Sequence, residues 1–350
     1  MDVELPPRLT DWTILGVVVL SVGTGLVSLV SGRPGDWWVF WLHGAGGLTL
    51  VVLLVWKFRR VYRRVTDAEW TRATVVSVAL ATVAVGALAS GAAWASGFDL
   101  DLAYWNLLNL HVLLGLLVVP LLVWHLRHRF RLPERTDVEG RRTALSYLAL
   151  AGFGVGAWWL QRGANRALDL VGADRRFTGS RERGSFAGNA YPVTMWMADD
   201  PDPVDPGEWS LSVVGAVGEP ITAGYDVVAE FEDRETATLD CTSGWYARQE
   251  WEGVRVGRLL DRADPDGDAR YVSFRSVTGY RWNLPVEEAE DALLATRVGG
   301  EDLSHGHGFP ARLVAPGRRG FQWVKWVETV EVRTDPDPGQ VGAIFLSWTG

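Results

Sequence analysis

"TLDCTSGWYARQEW", residues 238–251, holds the only cysteine of a 350-residue chain that carries 19 tryptophans. The run "ETATLDC" reads as a β-strand that closes on Cys241, and a turn-like "TSG" follows. A lone thiol forms no intrachain disulfide. Cys241 is therefore either a small buried hydrophobe or a reactive or metal-binding thiolate. The stretch by itself leaves both open.

Outward from Cys241 the pattern is of short β-type runs: "EWSLSVVGAV", "ARYVSFRSV", "YRWNLP", "ARLVAPG" and "VKWVETVEVR". Loops separate them, with helical pieces expected at "WEGVRVGRLLDRA" and "VEEAEDALLA". This predicts an α+β domain over 206–350 with a mixed or antiparallel sheet. Residues 166–205, including "DDPDPVDPGEW", read as linker and extended lead-in. No GxGxxG, P-loop, HExxH or GxSxG motif occurs, so nucleotide, zinc-protease and serine-hydrolase readings have no support.

Charge separates the chain into two parts. From residue 175 onward there are 18 Lys+Arg against 29 Asp+Glu; before it, 16 against 13. The acidic half has no basic stripe to neutralise phosphates, which excludes nucleic acid as a partner. Lys57 and Lys325 are the only lysines beside many Arg and Asp, a bias that suits a halophile.

The first half has apolar windows near 11–31, 37–57, 73–97, 105–126 and 143–160, each long enough to cross a bilayer as a helix. The predicted fold class is an N-terminal all-α transmembrane bundle of about five spans followed by the α+β domain. Residues 1–135 are expected to form a helical membrane domain, which the histidines below liken to a cytochrome b, and 136–165 the fifth span. Arg-rich loops at 57–72 and 127–142 place those loops in the cytoplasm, and an odd number of spans then puts the second half on the extracytoplasmic side of the cell membrane. Arg141-Arg142 before a Gly/Ala-diluted apolar stretch resembles a twin-arginine export signal; the plainer reading is another positive-inside anchor.

Four of the six histidines lie in or beside the spans. His43 and His111 each sit about six residues into a span entered from the outer face, so they share one depth, roughly 9 Å below that surface. Gly46, Gly47 and Gly115 remove bulk nearby. Two imidazoles at one depth between helices suit the axial positions of a haem iron. His125 follows His111 by 14 residues, a spacing similar to that of di-haem b-type cytochromes of quinone-linked complexes. The residue 14 after His43 is Lys57. One haem b is expected, with His125 as the ligand of a second if two bind. Otherwise His125, Lys57 and His128 form a polar site or a snorkelling helix end.

Three blocks resemble the molybdopterin core of the sulfite oxidase family: "LDCTSGWYARQEWEGVRVGRLLD", "HGHGFPARLVAPGRRGFQWVKWVETVEV" and "FTGSRERGSFAGNAYPVTMW". The likeness starts near 177 and covers nearly all of the second half. It implies that Cys241 is the protein ligand to molybdenum, beside the two sulfurs of the pterin dithiolene. It also implies that Asn189, His307, Arg312, Gln322 and Lys325 bind the pterin, with His305 less secure. Arg248 is a candidate oxyanion-binding group and Tyr246 a pocket residue. Trp245, Trp251, Trp323 and Trp326 read as core and cofactor wall. About 20 residues follow the "VKW" block, so neither the immunoglobulin-like domain of sulfite oxidases nor a cytochrome b5 or c domain is expected. The likeness is to the bacterial periplasmic branch that reduces methionine sulfoxide.

The expected enzyme is a molybdopterin-dependent oxidoreductase that exchanges electrons between the quinone pool and molybdenum through the haem, and reduces an S- or N-oxide. Its partners would be membrane lipid, quinone and a small oxo-acceptor or donor. Sulfite oxidation feeding the respiratory chain is the rival enzymatic reading. A non-catalytic haem protein with an external binding domain is the rival from another class.

Overall fold

The computed structural model describes residues 5–66, 70–100, 106–129, 132, 141–194, 199, 201–340 and 342–343. They form two compact units that divide at Gly179/Ser180.

The first unit is helical: α1 Pro7–Ser28, α2 Trp37–Thr66, α3 Arg72–Ser96, α4 Leu107–Arg129 and α5 Arg141–Ala167. All five are long and apolar enough to cross a membrane. α1 packs on α2 and α3 on α4, two antiparallel hairpins. Leu50, Leu54, Val18 and Val118 join them in one apolar cluster. The helices begin and end on local chemistry. Thr71 Oγ1 accepts from the Thr74 N–H at 3.3 Å as an N-cap to α3, and Gly97 closes that helix at φ 105°. α5 lies on α2 through small residues: a Cβ at Gly154 would come 2.8 Å from the Ala45 carbonyl, and one at Gly44 2.9 Å from Trp158. The expected loop at 57–72 is helical as far as Thr66, so Lys57 stands on a continuous helix.

The second unit has two sheets. One runs β3 (Ile221–Gly224), β2 (Ser210–Gly215), β11 (Val327–Arg333), β6 (Tyr271–Ser276), β7 (Arg281–Pro285), antiparallel except for the parallel β2–β11 pair. The other runs β1 (Arg181–Glu182), β5 (Trp245–Arg255), β8 (Leu293–Val298), β10 (Arg312–Val314). In it, β4 (Asp233–Asp240) also pairs with β5, and β9 (Glu301–Asp302) with β8. Short helices α6 Tyr225–Ala229, α7 Val256–Ala263 and α8 Val286–Glu290 connect them. α7 buries Val256, Leu259, Leu260 and Ala263, one face at helical spacing. The core gathers Val213, Trp251, Val254, Leu284, Leu293, Leu294, Trp323 and Val330.

Both expected helical pieces are shorter than their sequence suggests. Residues 251–255 belong to β5, and the helix starts only at Val256. Gly253 explains this: a Cβ there would sit 2.7 Å from Ala295 Cα, so the strand presses directly on β8. Likewise 293–295 starts β8, which pairing with β5 and β10 buries almost throughout. Tertiary pairing overrides helix propensity at both places.

Candidate functional site

β4 ends at Asp240, and Cys241–Gly244 turn the chain into β5. The Cys241 N–H donates to the Trp245 carbonyl at 2.9 Å and the Gly244 N–H to the Cys241 carbonyl at 3.1 Å. Gly244 takes φ 94°, a left-handed position that a side chain would strain. Cys241 is buried, its Sγ 3.0 Å from Ser243 Oγ.

A buried ion pair holds this turn from behind. Asp240 Oδ1 lies 2.9 Å from Arg319 Nη1 and accepts from Ser180 Oγ at 2.6 Å. Arg319 Nη2 reaches the Cys241 carbonyl at 3.3 Å, and the Arg319 N–H donates to Gln322 Oε1 at 2.9 Å. Gly320 lets the two segments touch; a Cβ there would stand 3.1 Å from Cys241 Cα. Neither Asp240 nor Arg319 is marked by the sequence reading, because an acid and an arginine 79 residues apart carry no local signal.

Beside the turn stands a wall of buried donors. Arg312 on β10 is 1 % exposed; its Nη1 donates to Tyr191 Oη at 3.2 Å and to the His307 carbonyl at 3.0 Å. Its guanidinium lies over Trp251 at 5.1 Å and Trp323 at 5.8 Å. Burial pushes the Arg312 pKa down, while the Tyr191 phenol and the Cys241 thiol push it back up. Arginine nonetheless stays a cation. Burial pushes the Tyr191 phenol up. Burial first, then Arg312, hold His307 down at about 4, so the ring is neutral at pH 7. Its tautomer follows from its partners: the Tyr191 carbonyl at 3.0 Å can only accept, so Nε2 carries the hydrogen and Nδ1 accepts from Ser304 Oγ at 2.8 Å. Lys325 Nζ donates to the carbonyls of Thr194 and Gly306 at 3.0 and 2.5 Å.

The structure thus brings Arg312, His307, Gln322 and Lys325 into the segments around Cys241. Asn189 works at the neighbouring loop. Its Nδ2 donates to the Asp302 carbonyl at 2.9 Å, and its Oδ1 accepts from the Ser304 N–H at 2.9 Å, which fixes the approach to His307. His305 Nε2 donates to the Pro201 carbonyl at 2.9 Å. Arg248 points elsewhere, while Tyr246 is half-buried on β5 opposite Asp240. β5 alternates, burying Ala247 and Gln249, and leaves Arg248 exposed over the Phe186 ring at 5.9 Å. Tyr191, which ties Arg312 and His307 together, lies in the quoted "NAYPV" block without being singled out there.

These residues fit an anionic pterin. Among the described residues no carboxylate compensates Arg312, and its Nε and the Gln322 Nε2 are buried donors without a hydrogen-bond partner. Buried donors left this way cost stability unless a ligand satisfies them. Among the described residues no three His, Cys, Asp or Glu side chains converge as a metal cage. A metal at Cys241 would therefore draw further ligands from a cofactor.

The first unit contains a second constellation. The His43 and His111 rings face each other with centroids 5.9 Å apart and planes at 88°. His43 Nδ1 donates to the Ser21 carbonyl at 2.9 Å, and His111 Nδ1 to the Ala87 carbonyl at 2.8 Å. A carbonyl only accepts, so in each ring Nδ1 carries the hydrogen; in the neutral ring this leaves the lone pair on Nε2, the state a metal-ligating histidine needs. Two rings this close, each with Nδ1 committed to a backbone carbonyl, are of the kind that could hold one metal ion between them. The glycines nearest these rings are Gly25 and Gly91 on the facing helices, rather than Gly46, Gly47 and Gly115. A Cβ at Gly91 would lie 2.8 Å from His111 Cε1, and one at Gly25 3.4 Å from His43 Cε1. His125 Nδ1 lies 3.0 Å from Ser77 Oγ, and Lys57 Nζ 2.7 Å from Asp11 Oδ1. His128 stacks on Trp124 of its own helix at 4.0 Å.

Comparison with known proteins bears on the second unit. Residues 198–341 match the family model "Oxidoreductase molybdopterin binding domain". The uncharacterized oxidoreductase YuiH of Bacillus subtilis is 31% identical over 154 residues, 43% of this chain and 77% of YuiH. The protein-methionine-sulfoxide reductase catalytic subunit MsrP of Gluconobacter oxydans is 28% identical over 173 residues, 43% of this chain and 54% of MsrP. Among solved structures, the sulfane dehydrogenase SoxCD of Paracoccus pantotrophus aligns at a TM-score of 0.38 and 24% identity, over 39% of this chain and 41% of that one. The family model, the relative matched over more than three quarters of its length and the donor-lined turn at Cys241 lead to one assignment: this chain belongs to the oxidoreductases built on the molybdopterin-binding domain.

Proposed function

We propose that the chain is a membrane-embedded molybdenum enzyme that draws electrons from the quinone pool through one b-type haem and reduces an S-oxide. The observation that carries the catalytic half is a lone thiol on a rigid turn beside Arg312, a buried cation with no compensating carboxylate among the described residues. When bound, the molybdenum cofactor supplies a centre that exchanges an oxygen atom and two electrons with a substrate. Cys241 would hold the metal, with the Ser243 hydroxyl positioned to donate to its sulfur. Arg312, Lys325 and Gln322 would bind the pterin's anionic and carbonyl groups. Asn189 and His307 would hold the segments that carry those donors. Trp251 and Trp323 would keep water from the guanidinium. Arg248, exposed on β5, receives no role.

His43 and His111, each oriented by a carbonyl, would hold the haem iron, which would supply a one-electron carrier. The Arg-rich C-terminal ends of α2 and α4 support a cytoplasmic location for those ends, and Arg141-Arg142 at the head of α5 would direct export. The second unit would then face the extracytoplasmic side. Reduction of an S-oxide takes two electrons and two protons and releases water. The methionine-sulfoxide reductases among the relatives support that substrate class.

The test uses the detergent-purified protein with its haem reduced by a quinol analogue. Added methionine sulfoxide should reoxidise the haem at a rate set by its concentration. If it does not, and sulfite instead reduces the oxidised haem, the enzyme runs in the sulfite-oxidising direction and the proposal fails.

A further inference from the structure

The two helical hairpins repeat each other in sequence and in contact. Residues 42–60 and 110–128 are identical at 10 of 19 positions, among them His43/His111, Gly47/Gly115 and the run Leu53-Leu54-Val55-Trp56 against Leu121-Leu122-Val123-Trp124. The contacts repeat at the same offsets. His43 rests on the Ser21 carbonyl, Thr24 Oγ1 (3.2 Å) and Gly25; His111 rests on the Ala87 carbonyl, Ser90 Oγ (3.5 Å) and Gly91. Each α1 residue maps onto its α3 counterpart 66 positions on, and each α2 residue onto α4 68 positions on. The difference of two is taken up in the connection between the helices of each hairpin.

The same offsets pair a second level of the bundle, 14 residues and about 21 Å further along the helices. There His125 contacts Ser77 in one hairpin, and Lys57 contacts Asp11 in the other. Lys57 occupies the position of His125, and Asp11 the position of Ser77. One half of this level therefore presents an imidazole on a hydroxyl. The other presents an ammonium neutralised by a carboxylate, at 2.7 Å.

Resting on the haem reading above, we infer that the bundle is a duplicated haem-binding hairpin whose second level is closed to haem by the Asp11–Lys57 pair. These two residues set the stoichiometry at one haem per chain. An ammonium held by a carboxylate cannot supply the neutral nitrogen lone pair that an axial ligand needs, and Lys57 stands where the register of the repeat calls for the partner of His125. The single redox centre then lies at the His43–His111 level.

The experiment is haem quantification by the pyridine haemochrome spectrum, with low-spin haem signals by electron paramagnetic resonance. It compares wild type, His125→Ala and the double variant Asp11→Ser/Lys57→His. One haem in wild type, one in His125→Ala and two in the double variant, with a second low-spin signal, is the expected result. One haem in a double variant that keeps its first low-spin signal overturns the inference alone, as does loss of haem from His125→Ala. No haem in wild type overturns the haem reading itself.

Discussion

The two candidate sites are built in opposite ways. At Cys241 the surroundings are charged: a buried Asp240–Arg319 pair under the turn and the Arg312 cation beside it. At His43 and His111 every group that orients a ligand is neutral, a backbone carbonyl or a small residue. The difference follows from what each unit can stabilise. A water-folded sheet domain can bury an arginine if strands and indole faces fix it, and an anionic ligand then gains from that charge. Helices long and apolar enough to span a bilayer cannot easily hold an unpaired charge, so they present neutral imidazoles and use backbone acceptors to set the tautomer.

The sharpest way to break the comparison is Asp240→Asn. It leaves Arg319 buried without its carboxylate and should destabilise the second unit by about 3–5 kcal/mol, with the Cys241 turn loosened. Denaturant unfolding of wild type and variant measures this, and an effect under about 1 kcal/mol would show the pair is not what holds the turn.

A smaller effect is expected from His307. An unfolded histidine takes up its proton near 6.5, the folded ring only near 4, so the unfolded chain binds more protons between those values. The stabilisation by neutral His307 is complete above pH 6.5 and falls as the pH drops toward 4. His307→Gln should flatten that part of the stability–pH curve; an unchanged slope would contradict the assignment.

The smallest effect separates two glycines. Gly91→Ala puts a methyl 2.8 Å from the His111 ring and should shift the low-spin signal of the proposed haem, whereas Gly25→Ala, at 3.4 Å from His43, should leave it nearly unchanged. Equal responses would show that the rings are not seated by these residues.

What could be read in advance differed between the units for related reasons. Five apolar windows and the paired depth of His43 and His111 follow from helical periodicity, which is local. The strand that ends at Cys241 was legible as a β-type run, whereas β5 after it was not. The extents of β5 and β8 were not, because Gly253 and Leu294 decide them by meeting across the sheet. Arg319 and Asp240 were silent for the same reason: their roles exist only once residues distant in sequence are adjacent. Tyr246 and Arg248 seemed close to Cys241 by count, but strand alternation turns Arg248 outward, away from buried Ala247 and Gln249. The spacing that sets Lys57 14 residues after His43 was read in the sequence, yet the duplication behind it and its meaning at Lys57 required seeing Asp11 in contact.

The most direct test of the central claim measures molybdenum and haem in the same purified samples of wild type, Cys241→Ser and His43→Ala. The account predicts both in wild type, haem without molybdenum in Cys241→Ser, and molybdenum without haem in His43→Ala. Molybdenum retained in Cys241→Ser, or absent from wild type, would contradict it.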